Sequence, residues 1–283
     1  MKELPMTTRK YVEYIEQTDN KRYPSDLTDA EWELIEPFVQ QKPGPGRPHE
    51  IDRREIVNAL FYLTCTGCQW RYLPKDLPEY HSVNYYFRIW TADHTLEQIN
   101  TALRRQIRIA DGRDAEPSAA IIDSQSVKST ESGGDVGVDG NKKIKGKKRH
   151  VLVDTLGLLL IIFVSAASMS DTEAGETVLS RARTKLNRLK LVWADEGYKQ
   201  RLVDWVRKMC HFVLTIVCKE QSQKGFVVQP QRWKVERSLA WLGRYRRLSK
   251  DYEYDDTYSE SMVYLASIRL MLKRVTRHRK RGK

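Results

Sequence analysis

From residue 119 onward the chain sets its apolar residues in short runs separated by longer helical stretches, and that alternation leaves few folds open. Ala119-Ala120-Ile121-Ile122, Val151-Leu152-Val153, Leu158 to Val164 and Leu191-Val192-Trp193-Ala194 are of strand length and bounded by turn or acidic residues. Strands are expected at 119–127, through 151–154, and at 158–164, 191–194 and 212–217. The basic run Asn141 to His150 leads into the second, and Thr155-Leu156-Gly157 turns the chain into the third. A capping box at Ser170 and Glu173 starts a helix to about Leu189. Further helices are expected near Lys199 to Cys210 and from Val235. The predicted order is β-β-β-α-β-α-β-α, an α/β class with a mixed five-stranded sheet and helices.

The preceding part follows a different period. Residues 1–24 are polar without a pattern and read as a flexible arm. Thr28 and Glu31 form a capping box for a helix carrying Trp32, Ile35, Phe38 and Val39. The Lys42 to Pro48 stretch, rich in Pro and Gly, is a turn or basic loop. Asp52 to Thr64 is a second helix, ended by Gly67. Ser82 is the expected cap of another, with Val83, Tyr86, Ile89 and Trp90 on one side and Asn84, Tyr85 and Arg88 on others. Helix, break, short helix, helix is helix-turn-helix-like, with Ser82 to Ala92 as the candidate DNA recognition helix. Asp111 to Pro117 reads as a linker. The expected organisation is therefore an arm (1–24), a small all-α DNA-binding domain (25–110), a catalytic domain (118–270) and a basic tail (271–283).

Three acids stand out against this frame. Asp123 closes the first strand run, Asp195 closes the fourth, and Glu236 opens the amphipathic segment Val235 to Leu242. By element order the chain resembles the RNase H-like nucleases, whose catalytic acids sit at the end of the first strand, the end of the fourth, and on the last helix. A phosphodiester is shielded by its own negative charge, and two divalent cations about 3.5–4 Å apart overcome this. Mg²⁺ favours hard oxygen ligands, so three carboxylates suffice. Two Mg²⁺ ions are the expected cofactors, with Mn²⁺ able to substitute. Cys65 and Cys68 form a C-x-x-C pair without a matching second pair, which reads as structural and not as a zinc site. Asp154 also ends a strand run, but a turn follows it at once. Glu196 adjoins Asp195 and is expected to point elsewhere; Asp171 and Glu173 are explained as caps; Glu253, Asp255 and Asp256 are expected at the surface.

The charge balance fits an anionic partner. Lys and Arg number 49 against 37 Asp and Glu, for a net charge of +12 in 283 residues. Lys142, Lys143, Lys145, Lys147, Lys148 and Arg149 crowd one stretch, expected to contact phosphates. Arg232 precedes Glu236 by one helical turn, and Arg244, Arg246, Arg247 and Lys250 follow it, expected to line a DNA groove. Trp241 and Tyr245 read as core or as stacking supports. The tail from Arg269 reads as a nonspecific DNA-binding end. The most apolar stretch, Leu156 to Ala167, is short of the roughly 20 residues a membrane span needs. The N-terminus lacks the apolar segment of a signal peptide, and four cysteines are no disulfide framework. A cytosolic protein is expected.

At the residues themselves the likeness becomes specific. Ile122-Asp123-Ser124-Gln125-Ser126-Val127-Lys128, the Lys145 to Gly157 stretch, Ala194-Asp195-Glu196-Gly197-Tyr198 and Val235 to Leu248 resemble bacterial insertion-sequence transposases with a DDE site, in the insertion-sequence-five family. Leu27-Thr28-Asp29, Gly46-Arg47-Pro48 and Thr66 to Arg71 resemble that family's leading helical domain. The resemblance implies an RNase H-like catalytic domain, two Mg²⁺ ions, and Asp123, Asp195 and Glu236 as metal-binding acids. Arg232 matches the family arginine before the glutamate; the tyrosine expected just before it is absent, since Gln229 and Pro230 stand there. Arg244 best matches the basic residue after the glutamate. The implied activity is cleavage at element ends and joining of the freed 3′-OH to target DNA. Double-stranded DNA is the implied partner, with a homodimer or larger assembly on it, and no nucleotide cofactor is implied. A simple metal-dependent nuclease and a noncatalytic DNA-binding repressor are the alternatives. A lost acid would point to the repressor, and none of the three is lost.

Overall fold

The computed structural model describes residues 22–40, 51–130, 134–198, 200–217 and 233–281, with side chains described up to 277. The N-terminal region is helical: α1 (Asp29–Val39), α2 (Arg53–Thr66), a 3₁₀ turn (Trp70–Tyr72), α3 (Tyr80–Ala92) and α4 (Thr95–Ala110). Thr28 and Glu31 cap α1 reciprocally, as their spacing predicts. Asp52 caps α2, and Gly67 ends it in the left-handed region at φ 70°.

Two expectations change here. α3 begins at Tyr80, with Glu79 at the cap position and no side-chain cap bond, so Ser82 lies inside the helix. The first turn closes when Val83 N–H donates to the Glu79 carbonyl, which draws Val83, Tyr86, Phe87 and Trp90 into the core together. Ile89, expected on that inward side, is exposed. α4 was named by no expected element, although Leu96, Ile99, Leu103 and Ile107 are buried at helical spacing along it.

The sheet follows. Its strands are β1 (Ala119–Lys128), β2 (Gly137–Asp139), β3 (Ile144–Asp154), β4 (Leu159–Ala166), β5 (Leu191–Ala194) and β6 (Val213–Ile216). The order across the sheet is β4-β3-β1-β5-β6, with β2 pairing the start of β3 beyond the reach of β4. β1, β3 and β4 are antiparallel, and β1, β5 and β6 run parallel. This is the RNase H-like arrangement that the element order predicts. Among the described residues it has six strands where five were expected, because β2 pairs with Ile144 to Gly146 of β3.

Side chains alternate across the sheet and so divide it between two layers. Ala120, Ile122, Leu152, Val192 and Ala194 join a core with α5 (Asp171–Lys185) and α6 (Gln200–Met209). α5 is capped by Ser170, which accepts from Glu173 N–H, and it stops at Lys185. Ile121, Val151, Val153 and Trp193 face the opposite way, into a core shared with α7 (Trp233–Leu242), α8 (Asp256–Arg281) and the N-terminal helices. One apolar cluster therefore runs from α1 through the sheet to α8. α8 also changes the reading of the tail. Arg269 is buried and donates to the carbonyls of Ser25 and Pro24, Lys273 pairs with Glu31, and Arg274 pairs with Asp111. These three cations hold the last helix to the body of the molecule.

Candidate active site

Asp123 does not end its strand. β1 continues to Lys128, because its antiparallel pairing with β3 runs on to Lys128 opposite Gly146. What ends near Asp123 is the parallel ladder to β5, whose last pair is Ile121 with Trp193. The same register, extended two residues, sets Asp123 beside Asp195 where the two strands part. Both lie on the side of Ile121 and Trp193, the side on which α7 packs through Val235 and Leu239.

Each aspartate is half-buried and steadied by its own backbone. Ser124 N–H donates to Asp123 Oδ1 at 2.7 Å, and Gly197 N–H donates to Asp195 Oδ1 at 3.0 Å. A Cβ on Gly197 would stand 3.0 Å from Asp195 Oδ1 and 3.3 Å from Asp171 Oδ2, so a glycine lets this turn pass between two carboxylates. Asp171, read as a helix-cap residue, is thus a neighbour of the acid edge. No local pattern signals that, because α5 and β5 meet only in the fold.

Glu236 lies in the first turn of α7, on the exposed flank beside the buried stripe of Val235, Leu239 and Leu242. Among the described residues, no three His, Cys, Asp or Glu side chains are grouped so as to hold a metal ion. The structure thus sets the two aspartates at one edge and carries Glu236 on the helix over that face, without drawing the trio together. The donors at this edge are carboxylate oxygens, which suit a hard divalent cation. Arg232 lies outside the described residues.

The basic run from Lys142 to Arg149 is divided by the fold. Lys142, Lys143 and Lys145 are exposed, and Lys142 Nζ donates to the Ser124 carbonyl at 3.2 Å, next to Asp123. Lys147, Lys148 and Arg149 are 0%, 6% and 3% exposed, which corrects the expectation that they reach phosphates. Once β3 begins, strand alternation sends Lys147 and Arg149 to one layer and Lys148 to the other. Lys147 Nζ donates to the Glu253 carbonyl at 2.9 Å and pairs with Asp256 at 2.9 Å. Arg149 donates to the carbonyls of Leu248 and Lys250, and burial lowers its pKa. Lys148 donates to the Met169 carbonyl and stands 3.5 Å from Asp171.

Beyond α7 the pattern repeats. Arg244, Arg246 and Lys250 are exposed. Arg247 is buried, paired with Glu253 at 2.7 Å and donating to the Cys68 carbonyl, so neither partner occupies the surface position expected for it. Burial also raises the Glu253 carboxyl, against the pull of Arg247. On α3, Tyr85 is 51% exposed, Asn84 is half-buried, and exposed Arg88 donates to the Tyr258 hydroxyl at 3.2 Å. No helix among the described residues is long and apolar enough to cross a membrane.

Comparison with known proteins places these elements in context. Residues 114–271 match a family described as "Transposase DDE domain", and residues 27–100 match one described as "Putative transposase of IS4/5 family". A Burkholderia cepacia protein, "Putative transposase for insertion sequence element IS402", is 28% identical over 116 residues, covering 38% of this chain and 54% of that protein. "Uncharacterized protein y4sN" of Sinorhizobium fredii is 29% identical over 80 residues, covering 28% of this chain and 64% of that protein. The chain thus spans between half and two thirds of the length of these relatives. Among solved structures, the Drosophila P element transposase strand transfer complex aligns over 75% of this chain and 48% of that chain, at 11% identity and TM-score 0.33. The Mos1 mariner paired end complex with Mn aligns over 96% and 92%, at 11% identity and TM-score 0.28. At those scores neither alignment carries an argument about this site.

Proposed function

The chain belongs to the family of insertion-sequence DDE transposases, and from that membership we propose that it cleaves DNA at the ends of an insertion sequence and joins the freed 3′-OH to target DNA. The observation that carries this reading is the register of β1 and β5, which, carried two residues past its last pair of Ile121 with Trp193, sets Asp123 and Asp195 at one edge of the sheet. Asp123, Asp195 and Glu236 are the proposed holders of two Mg²⁺ ions. When bound, the ions supply activation of the attacking oxygen and neutralise charge at the scissile phosphate.

The chain's own groups do the rest. The backbone donors Ser124 N–H and Gly197 N–H fix one oxygen of each aspartate. Lys142, Lys143 and Lys145 hold backbone phosphates beside Asp123, and Arg244, Arg246 and Lys250 extend that contact past α7. Asn84, Tyr85 and Arg88 on α3 are the proposed contacts to the element end. Both chemical steps are displacements at phosphorus, first by water and then by the 3′-hydroxyl, with no covalent enzyme intermediate. Two element ends are handled together, so the working form is a homodimer or larger assembly on double-stranded DNA, in the bacterial cytoplasm.

The test uses purified protein with Mg²⁺ or Mn²⁺, a labelled duplex carrying the DNA that flanks its gene, and a target plasmid. Wild type is compared with Asp123→Asn. Cleavage and joining, both lost in the variant while DNA binding persists, is the expected result. Cleavage without joining would replace the transposase with a nuclease, and binding without either would leave a DNA-binding repressor.

A further inference from the structure

α7 has two working flanks. Glu236 is on one, and on the other Trp233, Lys234, Arg237 and Trp241 face a groove of about 820 Å³ between α7, the β3–β4 turn and α8. Among the described residues seven cations line it, from Arg113 in the linker to Arg277 on α8, and no Asp or Glu does; two of the seven, Lys273 and Arg274, are paired with Glu31 and Asp111. We propose that this groove binds the phosphate backbone of duplex DNA, as a track separate from the acid edge. The proposal rests on the DNA-acting reading above and deepens it by naming a second contact surface.

Arg237 is the organising residue. Its guanidinium lies 4.6 Å from the ring centroids of both Trp233 and Trp241. Its Nη2 donates to the Leu156 carbonyl at 3.0 Å, and its Nε is buried without a hydrogen-bond partner among the described residues. The neighbouring Ser238 hydroxyl donates to the Gly157 carbonyl at 2.7 Å, so the β3–β4 turn is clamped to this flank of α7. A cation is thereby held in place at the groove wall. Burial lowers the Arg237 pKa and Arg274 adds to this; burial, Arg113 and Arg237 lower that of Lys234. The cations repel one another, and an anion laid among them relieves that repulsion.

The extent of the array argues for a polymer over a single small anion. Lys234 and Arg237 lie along α7 on one wall, and Arg244 follows just past the end of that helix. Arg277 faces them from α8, beside Arg274 in its pair with Asp111, and Arg113 stands at the turn. A duplex carries a phosphate about every 3.4 Å along each strand, so several can be met at once.

The experiment is fluorescence anisotropy of a labelled random-sequence duplex with the full chain, repeated over a range of salt concentrations. Arg113→Gln/Arg277→Gln removes two exposed groove cations, and Arg207→Gln/Lys208→Gln removes two exposed cations from α6 in the opposite layer. Each lost phosphate contact lowers the slope of log K against log salt by about 0.9, so the groove variant is expected to fall by about 1.8 while the α6 variant matches wild type. Arg277→Gln alone is read the same way, with an expected fall of about 0.9, and serves if the first variant does not fold. Equal slopes for groove and α6 variants would overturn the groove and leave the DNA reading standing. Absence of binding by wild type at any salt would overturn both.

Discussion

Arg108 and Asp154 form an ion pair sealed inside the molecule, Nη1 to Oδ2 at 2.6 Å, with the two side chains 5% and 0% exposed. It ties α4 to the β3–β4 turn. The other oxygen, Asp154 Oδ1, accepts from Leu156 N–H and Leu158 N–H, each at 2.9 Å, and so shapes the turn itself. Asp154 ends an apolar run just as Asp123 and Asp195 do, yet all its acceptor capacity goes to holding the fold.

Removing one member of such a pair leaves the other charged and buried. Asp154→Ala is expected to cost about 3–5 kcal/mol of folding stability. Asp154→Asn keeps the turn acceptor and is expected to cost less. Urea unfolding of the three proteins gives the comparison; equal stability of wild type and Asp154→Ala would show that the pair contributes nothing.

Lys145 and Lys147 are two residues apart and should respond oppositely. Lys147 is enclosed by Asp251, Asp256 and the Glu253 carbonyl, so Lys147→Ala strands buried acceptors at a cost of about 3 kcal/mol. Lys145 is exposed, and Lys145→Ala is expected to stay within about 0.5 kcal/mol of wild type. Thermal melts distinguish the two, and a shift confined to Lys145→Ala would contradict the burial of Lys147.

Gly67 closes α2 at φ 70°, and a Cβ there would meet Arg246 Cβ at 3.0 Å. Gly67→Ala therefore combines left-handed backbone strain of about 1–2 kcal/mol with displacement of the Arg246–Leu248 turn. The expected loss is about 2 kcal/mol or more in chemical denaturation. Gly112→Ala shares the positive φ and meets nothing within 4 Å, so it should cost only the strain.

Burial lowers the His150 imidazole from 6.5 to about 4; Asp171 opposes this, and Lys148 and Lys142 assist it. The unfolded chain takes up this proton near pH 6.5 and the folded one near 4. The stability due to neutral His150 is thus complete above 6.5, declines as pH falls through that window, and is constant below it. Between pH 7 and 4.5 the wild type should lose about 2 kcal/mol more than His150→Gln, read from urea midpoints at both pH values. Parallel losses in the two proteins would show that His150 is not the titrating group.

Strand positions in the sheet domain were legible because each apolar run is bounded by a turn or an acid, and Leu191 to Ala194 matches its strand residue for residue. The capping box of Thr28 and Glu31, the Ser170 cap and Gly67 were legible for the same local reason: the groups that bond are within three or four residues of each other. The start of α3 was not, since Ser82 offers a good cap and loses to the packing of Val83, Tyr86 and Trp90. β2 was hidden because three residues between turns carry no period of their own.

The order of the main elements of the sheet domain, the family, and which acids close apolar runs follow from the sequence alone, because those depend on spacing along the chain. Tertiary structure alone decided which charges meet solvent. Lys145 and Lys147, or Arg246 and Arg247, are equivalent as letters, and packing leaves one outward and encloses the other in a shell of carboxylates and carbonyls. Burial is a property of what packs across the sheet from 100 residues away, as Glu253 and Asp256 do for Lys147, and no local pattern of charge encodes it.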